Sequence, residues 1–282
     1  MKLIFFGTSD FSKIIFEALQ KAGYSSIPGD ISLGNYFTTF KKLNPDICVA
    51  AAYGKIIPKE YLEIPKHGFL NVHPSLLPKY RGATPIQTAI LNGDKETGVT
   101  IILMDEKVDH GPVIAKKELR ITDHDNYHSL EQKLAKLGAE LLVEIMLRWV
   151  AGEIKTAGQN HSEATFTKKF SWQDGRIDWL KPAEQISRQI KALGHEPGVW
   201  AEWDPSTGSG QAGRVIKIVE AEPIESKLSA EPGKVIEIED QIAVSCGRGA
   251  LIIKEVQLEG RNKMMAADFV RGHQSFIGSL LN

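Results

Sequence analysis

The chain opens on an apolar run, KLIFFG, that stops at Gly7. Apolar positions then recur at helical spacing, with Phe11, Ile14, Ile15, Ala18 and Leu19 on one face. Ser9 or Asp10 can cap this segment and Gly23 can end it, so the pattern predicts a strand, a tight turn and a helix. The next strand is DICVAAAY, Asp46 to Tyr53, apolar throughout as suits a parallel sheet covered on both faces. GFLNVH and TGVTIILM read as two more strands, and SLEQKLAKLGAELLVEIMLRWVAG as a long amphipathic helix ending at Gly152. Strands alternating with helices over residues 1–154 predict an α/β domain with a doubly wound, mostly parallel sheet.

From Lys155 the periodicity is lost. The polar, irregular residues 155–174 read as a linker. Residues 175–282 begin with a helix, PAEQISRQIKALG, with proline in its first turn and Gly194 beyond its end. Short β-branched strands follow, bounded by Gly, Pro and Asp, and then a final helix, AADFVRG. This predicts a second domain built as a small, OB-like β-barrel. One stretch resists the scheme. Between Gly23 and Phe37 there is little room for the second strand and crossover that a doubly wound sheet needs. The expectation is a further stretch of about 30 residues between about Tyr24 and Ile27 in the natural polypeptide.

Composition narrows the class without changing this picture. The 282 residues are 42% hydrophobic and 24% charged, which excludes global disorder. The net charge of −1 does not argue for nucleic acid, but leaves room for local basic clusters. Cys48 and Cys246 lie in apolar runs and read as buried thiols. No apolar run approaches the ~18 residues of a membrane span, and the N-terminus lacks a signal-peptide core, so a cytoplasmic protein is expected.

The candidate chemistry lies in FLNVHPSLLPKYRGATPIQ, residues 69–87. Asn71 and His73 are two apart and so share one face of a strand. Pro74 follows, and Pro78, Gly82 and Pro85 argue against a simple helix or strand beyond. Ligands of open α/β sheets bind beyond the carboxyl ends of strands. LMDEKVDHGPV, after the next strand, is expected to bring Asp105 and Asp109 to that same edge. An amide and an imidazole can stabilise a developing oxyanion, and an imidazole held by a carboxylate can handle a proton, which suits acyl transfer to an amine. No G-x-S-x-G and no GxGxxG is present, so serine-hydrolase and dinucleotide readings are weak. A His/Asp metal site is the alternative, with His67 and His110 nearby, but no recognised ligand spacing occurs and no metal is expected.

NVHPSLLPKYRGATP followed by VDHGPVI resembles the Asn–His–Asp signature of the folate-dependent formyltransferases. GTSDF, AYGKIIP, TKKFSWQDGRIDW and LEGRNKMMAADFVRGH are similar to segments of the branch of that family that acts on charged initiator tRNA. The resemblance covers nearly the whole chain. It implies 10-formyltetrahydrofolate as co-substrate and initiator Met-tRNA as acceptor and partner. It also implies Asn71, His73 and Asp109 as the catalytic trio, and Ser75, Leu76, Leu77 and Pro78 as a folate-contacting loop. A monomer is expected. Two departures stand out. A basic loop usual in the first domain is absent where YSSIPGD stands, and the usual Asn-Pro-Trp-Pro-Gly run appears as GHEPGVW. Lys168, Lys169, Arg176, Arg261 and Lys263 are the candidate phosphate contacts. The rivals are formyl transfer to a sugar nucleotide or other small amine, and a non-catalytic RNA-binding protein with the barrel as its module.

Overall fold

Residues 1–32, 36–204, 213–225 and 230–282 are described in the computed structural model of the chain. They form two compact units, Met1–Ala89 with Asp94–Lys169, and Ile90–Gly93 with Phe170–Asn282.

In the first unit the strands are β1 (Leu3–Phe6), β2 (Ser26–Pro28), β3 (Ile47–Ala50), β4 (Phe69–His73), β5 (Glu96–Leu103) and β6 (Val113–Arg120). They form one sheet in the order β2-β1-β3-β4-β5-β6. The first four strands are parallel; β5 runs antiparallel to β4, and β6 antiparallel to β5. The helices are α1 (Asp10–Lys21), α2 (Tyr36–Leu43), α3 (Lys59–Leu62), α4 (Pro85–Asn92) and α5 (Tyr127–Val150). β1 and β3 are buried at every position, as their unbroken apolar runs require. Ser9 caps α1, its hydroxyl accepting from Ser12 N at 3.2 Å.

The two faces of β4 have different fates. Val72 points to the face covered by α5, where Gly138 lets the helix approach: a Cβ there would lie 2.8 Å from Val72 Cγ1. Phe69, Asn71 and His73 share the other face. There Phe69 joins an apolar cluster with Ile4, Phe6, Phe40, Cys48 and Tyr61, and burial pushes the Cys48 thiol far up. The same face thus passes from aromatic core to amide and imidazole within five residues of one strand.

Four elements depart from the sequence reading. β2 supplies the strand for which little room was expected: three residues pair with β1. β6 was not foreseen because Lys116, Lys117 and Glu118 break its apolar pattern, as an edge strand permits. α4 begins at Pro85, a residue taken as forbidding a helix; at the first helical position proline costs nothing, because its missing N–H has no partner there anyway. Residues 155–169, read as linker, are bonded into this unit. Ala157 and Val113 exchange both backbone hydrogen bonds, and Arg81 forms a parallel bridge to Phe166, its N–H donating to Thr165 O and its carbonyl accepting from Thr167 N.

The turn before α5 is pinned by Asp125, whose side chain is 2% exposed. It accepts from Thr122 N and Oγ1, Ser129 Oγ and Lys133 Nζ at 2.7–2.9 Å. Burial alone would raise its pKa, but these donors outweigh burial and hold it at about 2. A carboxyl depressed below its unfolded value, near 3.9 for Asp, stabilises the fold above that value, and the contribution is lost as pH falls through about 2. Asp125→Asn should therefore flatten the acid limb of thermal stability between about pH 4 and 2. Melting curves over that range check this; parallel acid limbs in the two proteins would remove Asp125 from acid unfolding.

The second unit holds α6 (Ala183–Leu193), β7 (Trp200–Trp203), β8 (Arg214–Ile224), β9 (Val235–Ile238), β10 (Gln241–Ser245), β11 (Ala250–Leu258), β12 (Met264–Met265) and α7 (Ala266–Gly272). The sheet order is β7-β8-β11-β10-β9, all antiparallel, with β12 on β11. Residues 279–282 lie between its two edge strands. Asn282 exchanges hydrogen bonds with Glu202 of β7, while Val235 of β9 donates to Ser279 O. The curled sheet is thereby closed as a small barrel. Trp203, Phe269 and Phe276 fill its core, and Cys246 is buried with its thiol pushed up to about 12.

Candidate active site

The site assembles where β4 ends. Asn71 stands opposite Ile102, and His73 opposite Thr100, on antiparallel β5. Because β5 is antiparallel, its carboxyl end lies at the start of β4, beside Leu70. Asp105 and Asp109 therefore leave from the far edge, not the near one expected from the sequence. Residues 104–112 fold back to deliver Asp109. The return is tight: a Cβ on Gly111 would lie 1.8 Å from Leu103 O, so only glycine fits. Asp109 itself takes φ 48°, a left-handed conformation that aspartate tolerates better than most residues.

Asp109 is held on both oxygens. Oδ1 accepts from Asn71 Nδ2 at 3.0 Å, and Oδ2 from Gly82 N at 2.8 Å. His73 Nδ1 lies 3.5 Å from Oδ1, with both side chains at least nine-tenths buried. His73 Nε2 is 3.0 Å from Tyr80 O. A carbonyl only accepts, so Nε2 carries the proton in the neutral ring, and Nδ1 is left with a lone pair facing Asp109. One hydrogen of the Asn71 amide binds Asp109; the second is free for a ligand.

The loop after His73 is internally braced. Ser75 is fully buried and its hydroxyl donates to Lys79 O at 2.7 Å. Buried Thr100 donates to Ser75 O and accepts from Leu77 N. Leu77 is 2% exposed, while Leu76 and Pro78 are half-buried. Of the four residues expected to contact folate, Ser75 and Leu77 thus form the underside of the loop. Ile56, after β3, and Val108, next to Asp109 in the chain, are exposed apolar side chains.

Asp105 does not join the trio. Its carboxylate lies 2.6 Å from His110 Nδ1, and the His110 ring stacks on His161 at 4.0 Å. Desolvation, then His110 and Arg81, hold the His161 imidazole below its ordinary pKa. His67 uses its backbone carbonyl to accept from Trp149 Nε1. Among the described residues no three His, Cys, Asp or Glu side chains gather as a metal site. Sequence reasoning missed Gln159, whose amide donates to Asp109 O at 2.9 Å and Gly111 O at 2.7 Å. No periodic signal marked it.

The candidate phosphate contacts are distributed along the chain. Lys168 and Lys169 are exposed at the end of the first unit. In the second, Arg176 lies 3.6 Å from Glu202 and stands over the Trp200 ring, Lys263 lies 3.4 Å from Glu255, and Arg261 is exposed. Among the described residues no helix is long and apolar enough to cross a membrane.

Residues 1–146 match the formyl transferase family, and residues 169–274 match the formyl transferase C-terminal domain. The chain belongs to the formyl transferase family. Within it, the chain is 39% identical over 272 residues to the methionyl-tRNA formyltransferase of Caldanaerobacter subterraneus subsp. tengcongensis, covering 96% of this chain and 85% of that one. It is 35% identical to the methionyl-tRNA formyltransferase of Methylacidiphilum infernorum over 318 aligned positions, covering 100% and 98% of the two chains. Among solved structures, HypX from Aquifex aeolicus in complex with tetrahydrofolic acid superposes with a TM-score of 0.75 at 19% identity. That match covers 98% of this chain but only 48% of HypX. An N-formyltransferase from Helicobacter canadensis, in complex with folinic acid and dTDP-3-aminofucose, gives 0.67 at 20% identity, covering 90% and 99%. These structural likenesses concern the fold.

Proposed function

We infer that this protein transfers the formyl group of 10-formyltetrahydrofolate to the α-amine of initiator methionyl-tRNA, giving N-formylmethionyl-tRNA for translation initiation. The chemistry rests on one observation: Asn71, His73 and Asp109 converge at the end of β4 with a free amide hydrogen and a free imidazole lone pair. The acceptor rests on relatives named as methionyl-tRNA formyltransferases that match most of the chain, second unit included. The enzyme is soluble and works in the cytoplasm as a monomer.

The residues offer the formyl group of the donor an amide hydrogen and an imidazole. Val108, Leu76 and Pro78, neighbours of the trio in the chain, offer apolar surface to the donor, and Ser75 and Leu77 keep the loop in shape. The free hydrogen of Asn71 supports the formyl oxygen as the amine adds and negative charge develops there; one such donor is worth about 3–4 kcal/mol. His73 Nδ1 takes a proton from the attacking amine. Asp109 balances the resulting imidazolium across 3.5 Å, and Tyr80 O keeps the ring from turning. His73 then returns that proton to the departing folate nitrogen, so the new C–N bond forms and the old one breaks with no net proton change in the site. Lys168, Lys169, Arg176, Arg261 and Lys263 meet the phosphates of the tRNA, and the second unit is the tRNA-binding module.

The Helicobacter canadensis structure gives the second reading, a small sugar amine as acceptor. Parallel incubation of charged initiator tRNA, charged elongator tRNA and an amino-sugar nucleotide with the formyl donor separates the two. Formylated initiator Met-tRNA on an acid gel, with the sugar unchanged, is the expected outcome. Formylation of the sugar alone would replace the proposed acceptor.

A further inference from the structure

We propose that Gln159 is a positioning residue for the Asp109 carboxylate, coupled through buried Arg81 to the loop that follows His73. This rests on the trio's proposed role.

The hydrogen bonds fix the orientation of the Gln159 amide. Its nitrogen lies 2.9 Å from Asp109 O and 2.7 Å from Gly111 O, two groups that only accept. Its oxygen lies 2.7 Å from Arg81 Nη2, which only donates. All three bonds are satisfied in one orientation and lost in the flipped one. Gln159 thus clamps both carbonyls that flank His110, on a segment whose backbone is left-handed at Asp109. The clamp adds to the Leu103 N–Pro112 O bond at the end of the segment and holds the strained turn itself at its two central carbonyls.

Arg81 extends the clamp to the other wall of the site. It is 3% exposed, and its Nη2 also meets His161 Nδ1 at 2.9 Å. Its backbone pairs with Thr165 and Thr167. It stands between Tyr80, whose carbonyl orients His73, and Gly82, whose N–H holds Asp109 Oδ2. Gln159 and Arg81 therefore join the two segments that place His73 and Asp109 relative to each other. A displacement of about 1 Å at such a site can cost on the order of 100-fold in rate without touching the substrate.

The test uses the full chain. Gln159→Ala should lower kcat for Met-tRNA formylation about 100-fold, with KM for tRNA and donor within about twofold. Gln159→Glu keeps the contact to Arg81 but turns an acceptor toward two carbonyls, and should lose as much. In an Asp109→Ala background, Gln159→Ala should cost nothing further, because its effect runs through the absent carboxylate. Hydrogen exchange of the Gly82 amide, followed by NMR, needs no substrate and should speed up in Gln159→Ala as its acceptor loosens. Wild-type kcat in either single variant, or an equal loss with and without the Asp109 carboxylate, would overturn the proposal. So would unchanged Gly82 exchange, even if the acceptor proved not to be Met-tRNA.

Discussion

Replacing His73 by alanine is expected to lower kcat for Met-tRNA formylation by about 10³–10⁴, the loss of the group proposed to carry the proton from amine to folate. The prediction follows from which nitrogen is free. Nε2 is spent on Tyr80 O, so the exchangeable position is Nδ1, and among the described residues no other imidazole is recorded against Asp109. Folate affinity should change little, because the ring is 4% exposed and offers the donor one edge. The substitution leaves a small void and removes the contact to Tyr80 O, a cost of about 1–3 kcal/mol that a chain of this size survives. Single-turnover rates with pre-formed donor complex, beside thermal melts, separate chemistry from folding. A folded variant turning over at wild-type rate would take His73 out of the mechanism.

Asp109→Asn should be nearly as damaging, and for two reasons. The first is charge: a neutral amide cannot balance the imidazolium. The second is a mismatch of donors. Both oxygens of Asp109 accept, one from Asn71 Nδ2 and one from the backbone N–H of Gly82. The backbone donor cannot turn, so the new amide oxygen must face Gly82 and its NH₂ must face Asn71. Asn71 then has to flip, which points its carbonyl inward and withdraws the hydrogen offered to the formyl oxygen. The combined loss should reach about 10³ in kcat. The pH dependence of kcat should also change shape, since the partner of His73 no longer carries charge. A pH profile superposable on wild type, however low the rate, would show that Asp109 does not act through His73.

Much of the catalytic unit could be read from the chain because its signals are local. KLIFFG, DICVAAAY and GFLNVH announce buried strands by composition alone, and Asn71 and His73 fall on one face by the two-residue period. Strand direction is not local. Whether β5 runs with β4 or against it depends on how the chain crosses the sheet, so Asp109 was expected at the right site by the wrong route. Pro85 was read as a breaker because its cost depends on where a helix starts, which the proline itself does not reveal. Gln159 left no trace at all. Its partners are backbone carbonyls, and backbone is the same in every sequence.

The closure of the second unit by residues 279–282 also sets an order of events. β7 and β9 are bridged only once Ser279 and Asn282 exist to pair with them. The first unit needs nothing beyond Lys169. At translation rates of about 5–20 residues per second, the catalytic half can be complete roughly 5–20 s before the barrel has the means to close. A newborn chain therefore has its candidate site assembled while both edges of its other sheet still await the pairing segment.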